Sequence, residues 1–255
     1  IKDAMAGGRR IGDVASLPTP EIERLVAEDL EGMAEVRPAS DGVRGEVFLP
    51  DAILAMRRAD QPALRSVLAR ALLTLTPARF TTEVAGPFMH ELGVLWERGE
   101  LSPGHEHAAS EVMRRVLHDM LGMLAPAVGA PGLVVTTLSG QRHEIGALFA
   151  AAAAALDGWK ITYLGADLPA VDIARVARDV QAEAIAVSIT TKNGNLKSEL
   201  TALRAAAGAE LPILVGGQQA DAVDATGARV VALRDVESFR ALLRSLAASA
   251  ATRSR

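Results

Sequence analysis

The chain contains no cysteine. This excludes disulfide bridges, zinc–thiolate centres and a thioether link to any chromophore, and it accords with the cytoplasmic location that we expect. Aromatic residues are scarce at 3%, so each of the two tryptophans invites a specific explanation. Positive charge is not in excess either. The formal net charge is −4, and the conspicuous basic clusters are Arg9-Arg10 and Arg253-Ser254-Arg255, so the chain lacks the basic face that a nucleic-acid binder needs. Long apolar runs are also missing. The longest, Ile145 to Leu156, is too short to span a bilayer, and no secretory signal is visible.

What is present is enough apolar material for a sizeable core: 49% of 255 residues are hydrophobic. Residues 1–45 read as an N-terminal helical segment and linker, with a helix from Pro20 to about Ala34 and a Pro/Ser/Asp/Gly-rich stretch ending near Gly45. Residues 46–126 read as a helical bundle. Leu64, Val67, Leu68, Ala71, Leu72 and Leu75 recur at intervals of three and four, as do Val84, Phe88, Leu92 and Leu95, and then Ala109 through Leu124. Breaks at Asp60-Gln61-Pro62, Thr76-Pro77 and Gly99 to Gly104 divide this region into about four helices. Ser102 followed by Pro103 predicts a capped helix start, so Trp96 closes one helix while Glu106 and His107 open the next.

Residues 132–250 change period. Strands are predicted at 132–138, 160–164, 184–189, 213–215 and 229–232, each followed by a helical stretch. Leu133, Val134 and Val135 are apolar without alternation, as in a strand covered on both faces. Five strands alternating with helices predict an α/β domain with a five-stranded parallel, flavodoxin-like sheet. Ligands of such sheets gather at the carboxyl ends of the strands. Small and hydroxylated residues collect at three of those ends: Ser139-Gly140, Ser188-Ile189-Thr190-Thr191 and Gly216-Gly217. Glycine lets a ligand approach the backbone, and hydroxyls satisfy its polar atoms. His143 stands just past the first of these ends, and the alanine-rich run that follows predicts a helix.

Gln141-x-His143-x-x-Gly146, Ser188-Ile189-Thr190 and Gly216-Gly217 fall in the order and at the strand ends of the cobalamin-binding domain of methionine synthase, mutases and their relatives, which this region therefore resembles. The resemblance implies that His143 is the lower axial ligand of cobalt and displaces the dimethylbenzimidazole base. It implies that the nucleotide tail fills a slot beside Ser188, Thr190, Gly216 and Gly217, with Ser139, Gln141, Arg142 and Gly146 also lining the site. The family carries an acid that hydrogen-bonds the far nitrogen of the histidine, and here that position is Gln141. A neutral amide raises imidazole basicity less than a carboxylate does, unless Glu144 helps.

Trp96, nine intervening residues and Glu106-His107 resemble the bundle of CarH-like photoreceptors, which covers the adenosyl group of adenosylcobalamin. Tryptophan offers a flat shielding surface, and a carboxylate and an imidazole can hydrogen-bond ribose hydroxyls. On a helical wheel Glu106 lies within the apolar arc of Ala109, Val112 and Met113, whereas His107 lies off it. Glu97 occupies the place of the family histidine that takes cobalt after photolysis, so no stable bis-histidine adduct is expected through that position. Gly8 through Leu25 resembles the junction between a MerR-type winged helix and the cobalamin module. Some related stand-alone modules also bind a bilin such as biliverdin, which without cysteine would be held non-covalently.

These resemblances imply a non-enzymatic, cobalamin-dependent light sensor that acts as a homo-oligomer or through a partner, without nucleic-acid or membrane contact by this chain. A corrinoid carrier of a methyltransferase system is the competing reading. A receiver-like interaction domain is disfavoured because the first strand ends in Ser139-Gly140, without an aspartate to phosphorylate.

Overall fold

The computed structural model describes residues 43–191, 195–220, 230–233 and 235–253. The helix expected at Pro20 to Ala34 and the junction-like stretch lie outside the described residues. The first layer is helical. A 3-10 turn at Gly45–Phe48 leads into α1 (Leu49–Arg57), α2 (Gln61–Thr74), α3 (Pro77–Phe80), α4 (Gly86–Glu97) and α5 (Pro103–Met123). A π turn at Thr81–Ala85 joins α3 to α4 through right-handed helical backbone, so the two act as one rod and the bundle has four.

Local chemistry sets the breaks. Asp60, Thr76 and Ser102 each cap a helix by accepting a hydrogen bond from the backbone N–H three residues on, at 3.0, 3.3 and 3.4 Å. In each case a proline follows in the first turn, where its missing N–H costs nothing. The π turn has a comparable origin. Pro87 cannot donate to the helical ladder and its ring crowds the carbonyl of residue 83, so the backbone widens just ahead of it.

The second layer is a parallel sheet of β1 (Gly132–Thr136), β2 (Lys160–Tyr163), β3 (Ala184–Ser188), β4 (Ile213–Gly216) and β5 (Val230–Ala232) in the order β2-β1-β3-β4-β5. The helices α6 (Ile145–Leu156), α7 (Ala170–Asp179), α8 (Leu196–Ala207) and α9 (Val236–Arg253) alternate with the strands. Isoleucine, valine, leucine and alanine are buried throughout β1 and β3, as the unbroken apolar runs predict for central strands. Because β1 pairs with β2 on one side and β3 on the other, the chain reverses its lateral direction there, and a crevice opens at the carboxyl ends of β1 and β3.

Alanine-rich α6 joins the two layers. Ala147, Ala151 and Ala154 pack on the sheet beside Val135 and Leu214. Leu148 and Ala152 are wholly buried in the bundle core with Phe88, Met113, Leu117 and Met120. Small side chains let α6 lie close to both neighbours at once. Replacing Leu148 with Ala should cost ~2–5 kcal/mol by leaving a cavity at this junction. Thermal melting should then shift downward by roughly 5–15 °C. The change Val128→Ala, at a fully exposed position, should leave melting unchanged. A parent-like melt for Leu148→Ala would contradict the packing described.

Candidate functional site

The loop after β1 is tied down from both ends. Thr136 donates to the Gly165 carbonyl at 2.8 Å, and the Thr137 hydroxyl donates to the Gln141 carbonyl while accepting from the Asp167 N–H at 2.9 Å. One Asp167 carboxylate oxygen accepts from the Gly140 N–H at 2.7 Å, at a residue whose φ of +82° suits glycine. The turn therefore presents Arg142 and His143 outward. His143 is exposed, and among the described residues its imidazole has no hydrogen-bond partner. The Arg142 guanidinium is also solvent-facing, 3.6 Å from Asp167, and Ser139 is half-buried at the turn.

The Gln141 side chain departs from the sequence reading. It is wholly buried, and its oxygen accepts from the N–H groups of Thr190 and Thr191 at 3.0 Å each and from the Thr191 hydroxyl at 3.1 Å. Its amide nitrogen donates to the Thr191 carbonyl at 2.7 Å. Gln141 thus clamps the loop after β3 instead of reaching His143. Glu144 is likewise engaged elsewhere, accepting from the Tyr163 hydroxyl at 2.6 Å.

Beside this loop lies a cavity of about 400 Å³, walled by Gly86 and Met89 of the bundle and by Gly146, Ser188, Gly216 and Asp235 at the sheet's carboxyl edge. Its polar chemistry is incomplete. The Ser188 hydroxyl in its wall is buried without a hydrogen-bond partner, as is that of Thr190 two residues on, a situation that costs free energy unless a ligand supplies one. The three glycines play different parts. A Cβ on Gly146 would stand 2.8 Å from the Ser188 hydroxyl, so only a bare backbone fits against that group. A Cβ on Gly216 would meet nothing within 4 Å and would project into the open slot. Gly217 is required by the fold itself, with φ +100° and the Ile189 carbonyl 2.3 Å from where a Cβ would sit.

Trp96, Glu106 and His107 do not line this cavity, whose bundle wall is Gly86 and Met89. On α5, Arg114 lies 3.6 Å from Glu144, next in sequence to His143. Glu106 stands two turns nearer the helix N-terminus, roughly 12 Å further along the axis at 1.5 Å per residue. The first two turns of α5 therefore extend beyond its contact with Glu144. Glu106 is mostly buried and accepts from the Ser110 hydroxyl at 2.7 Å, while its other oxygen lies 2.6 Å from His107 Nδ1. His107 is 77% exposed. It lies on the stripe continued by Glu111, Arg114 and His118, whose last two members meet the sheet domain. Trp96 is 52% exposed at the end of α4, unusual for a tryptophan in a chain so poor in aromatics. His105 Nδ1 is engaged by Ser102 at 2.7 Å, and no cluster of metal-ligating side chains exists among the described residues.

A flavodoxin-like sheet with an exposed histidine beyond β1, a slot with the orphaned Ser188 hydroxyl in its wall and a helical bundle beside it are the features of a B12-binding protein. The family model described as a B12 binding domain matches residues 131–243, and a second B12 binding domain model matches residues 51–118. The chain is 31% identical over 207 residues to the HTH-type transcriptional repressor CarH of Myxococcus xanthus, covering 78% of this chain and 69% of that protein. It belongs to the CarH family. It is 33% identical to the repressor CarA of the same organism over 51% of this chain and 44% of CarA. It is also 26% identical to the dimethylamine corrinoid protein of Methanosarcina barkeri, covering 61% of this chain and 74% of that one. The monomethylamine corrinoid protein of the same organism shares the fold, with a TM-score of 0.62 at 16% identity over 79% of this chain and 99% of that one.

Sequence reasoning missed the scaffold around the site. Thr136 and Thr137, two buried hydroxyls ending an apolar strand, were the available signal for the loop lock. Gly86-Pro87 within a helical pattern was the signal for the irregular turn beside the cavity. The Gln141 clamp gives a direct test. Gln141→Leu leaves two backbone N–H groups without their partner and should destabilise the protein by about 2–4 kcal/mol. Denaturant melts should show that loss, and an unchanged midpoint would remove the clamp from this account.

Proposed function

We propose that this chain is a cobalamin-dependent light sensor in which His143 is the lower axial ligand of cobalt. The observation that carries this reading is the exposed, unpartnered imidazole at the carboxyl end of β1, next to a slot with the orphaned Ser188 hydroxyl in its wall. Ser188 and Thr190 donate to the polar atoms of the nucleotide tail. Gly146 and Gly216 leave room for it, Gly217 holds the slot's rim against Ile189, and Ser139 and Arg142 border the site at the turn. Trp96 shields the upper group, and Glu106 and His107 hydrogen-bond its ribose hydroxyls. Adenosylcobalamin supplies a cobalt–carbon bond that green or near-ultraviolet light cleaves.

The chain's own part is mechanical. Trp96, Glu106 and His107 lose their contacts when the upper group leaves, and the bundle then repacks against α6. The output is altered self-association or partner contact, since a ligand shifts an equilibrium only when it binds the two states differently. A corrinoid carrier remains the second reading, favoured by the likeness to the dimethylamine corrinoid protein. Trp96 and the Glu106-His107 pair favour the sensor, because a methyl carrier must uncover its upper face.

Absorption spectra of the protein with adenosylcobalamin, in darkness and after illumination, test the proposal, with sizing of each state. A light-dependent spectrum with a changed elution volume is expected. The variant His143→Ala should bind at least tenfold more weakly. An unchanged spectrum under light, or equal binding by the variant, would overturn the reading. Methylation of the bound corrinoid by a partner methyltransferase would favour the carrier. Biliverdin added to the loaded protein should shift its visible band if a second chromophore is held non-covalently, and an unshifted band confines the protein to the corrinoid.

A further inference from the structure

A polar seam runs between the bundle and the sheet domain. On α5, Glu111 accepts two hydrogen bonds from Arg114, both at 2.8 Å, and one from Arg115 at 2.8 Å. The Arg114 guanidinium also lies 3.6 Å from one oxygen of Glu144, whose other oxygen accepts from the Tyr163 hydroxyl at 2.6 Å. The Tyr163 ring in turn meets His118 edge-on, with centroids 5.2 Å apart. The seam is well sheltered, since the Glu144 side chain is 19% exposed and that of Arg114 35%. Hydrogen bonds from Arg114 and then Arg115 lower the Glu111 carboxyl to about 2, and burial followed by the Glu144 bond raises the Tyr163 phenol. The Glu111 carboxylate stays ionised and the Tyr163 phenol stays a donor.

Position makes the seam consequential. Glu144 follows His143 directly and opens α6, with φ −103° and ψ −6°. A shift of the His143 backbone must therefore carry Glu144 with it. Arg114 shares its helix with Ser110, His107 and Glu106, the last two being the residues proposed above to hold the upper group. One carboxylate thus links the lower loop to the upper helix, with Tyr163 as its fixed anchor on β2.

We propose that Glu144, gripped by Tyr163 and Arg114, is a positioning residue that couples the seating of His143 to the seating of α5. This rests on the cobalamin reading above. Coupling of this kind is reciprocal: a bundle displaced from α6 loosens His143, and a released His143 frees the bundle. The apolar contact through Leu148 and Ala152 holds the layers together in either case, so the seam sets their registration.

The experiment uses the full chain loaded with cob(II)alamin, whose electron spin resonance spectrum carries a splitting from the axial nitrogen. Protein containing heavy-nitrogen histidine changes that splitting only when a protein histidine is the ligand. Arg114→Met, a change on the bundle, and Tyr163→Phe, which removes one hydroxyl, should each lower the histidine-ligated fraction about three- to tenfold. Glu144→Ala should do the same, and Glu144→Gln, which keeps an oxygen for the Tyr163 hydroxyl, should restore most of it. Melting of the cofactor-free variants should move by less than about 4 °C, as expected for partly exposed ion pairs. Parent-like ligated fractions in Arg114→Met and Tyr163→Phe would overturn the coupling. A loss of ligation seen only alongside a large drop in melting would also overturn it, by marking local unfolding. If Arg114→Met does not fold, Tyr163→Phe decides alone. A parent protein whose splitting ignores the isotope would instead overturn the cobalamin assignment of His143.

Discussion

The buried side chain of Gln141 joins the loops that follow β1 and β3, and much of the site depends on that junction. An amide both donates and accepts, so it can satisfy two N–H groups, a hydroxyl and a carbonyl of one neighbouring strand end. A carboxylate there would leave the Thr191 carbonyl without its donor. With Thr137 and Asp167 holding the other half of the turn, the loop is rigid enough to present His143 to solvent. Among the described residues the imidazole has no protein partner, which leaves both of its nitrogens available.

The bundle and the sheet domain contribute to the same cavity because α6 belongs to both cores. Alanine on its sheet face and Leu148 on its bundle face allow three layers to approach closely. The π turn ahead of Pro87 then places Gly86 and Met89 at the slot. A regular helix through 81–85 would rotate those residues relative to the sheet edge. The fold thus supports two surfaces around one opening. One is a small-residue edge on the sheet with Ser188, Gly216 and Gly217, and the other is Gly86 and Met89 on the bundle.

Most of the architecture was readable from pattern. The strand runs 132–138, 160–164, 184–189 and 213–215 correspond to β1 through β4 within a few residues, because buried parallel strands need continuous apolar residues and leave a strong local signal. The helix breaks at Pro62, Pro77 and Pro103 were equally legible, since a cap followed by proline is a local device. The partners of polar side chains were not. Gln141 was read as facing His143, two positions away, and instead bonds residues about fifty positions on. His107 fell off the bundle's apolar arc, yet it lies on the stripe that meets the sheet domain, because the bundle has a second neighbour that helical periodicity alone does not reveal.

By itself, the sequence determined the order and type of the elements, the small-residue strand ends and the place of His143 in the chain. These are consequences of local propensity and of periodic burial. Only the tertiary structure decided that the histidine is exposed, that Gln141 belongs to the scaffold and that Gly217 answers to the Ile189 carbonyl whereas Gly216 faces open space. It alone joined Glu144 to Arg114 and Tyr163. Hydrogen bonds and close approaches between distant segments depend on how layers register in space, and that registration is a property of the packed core as a whole.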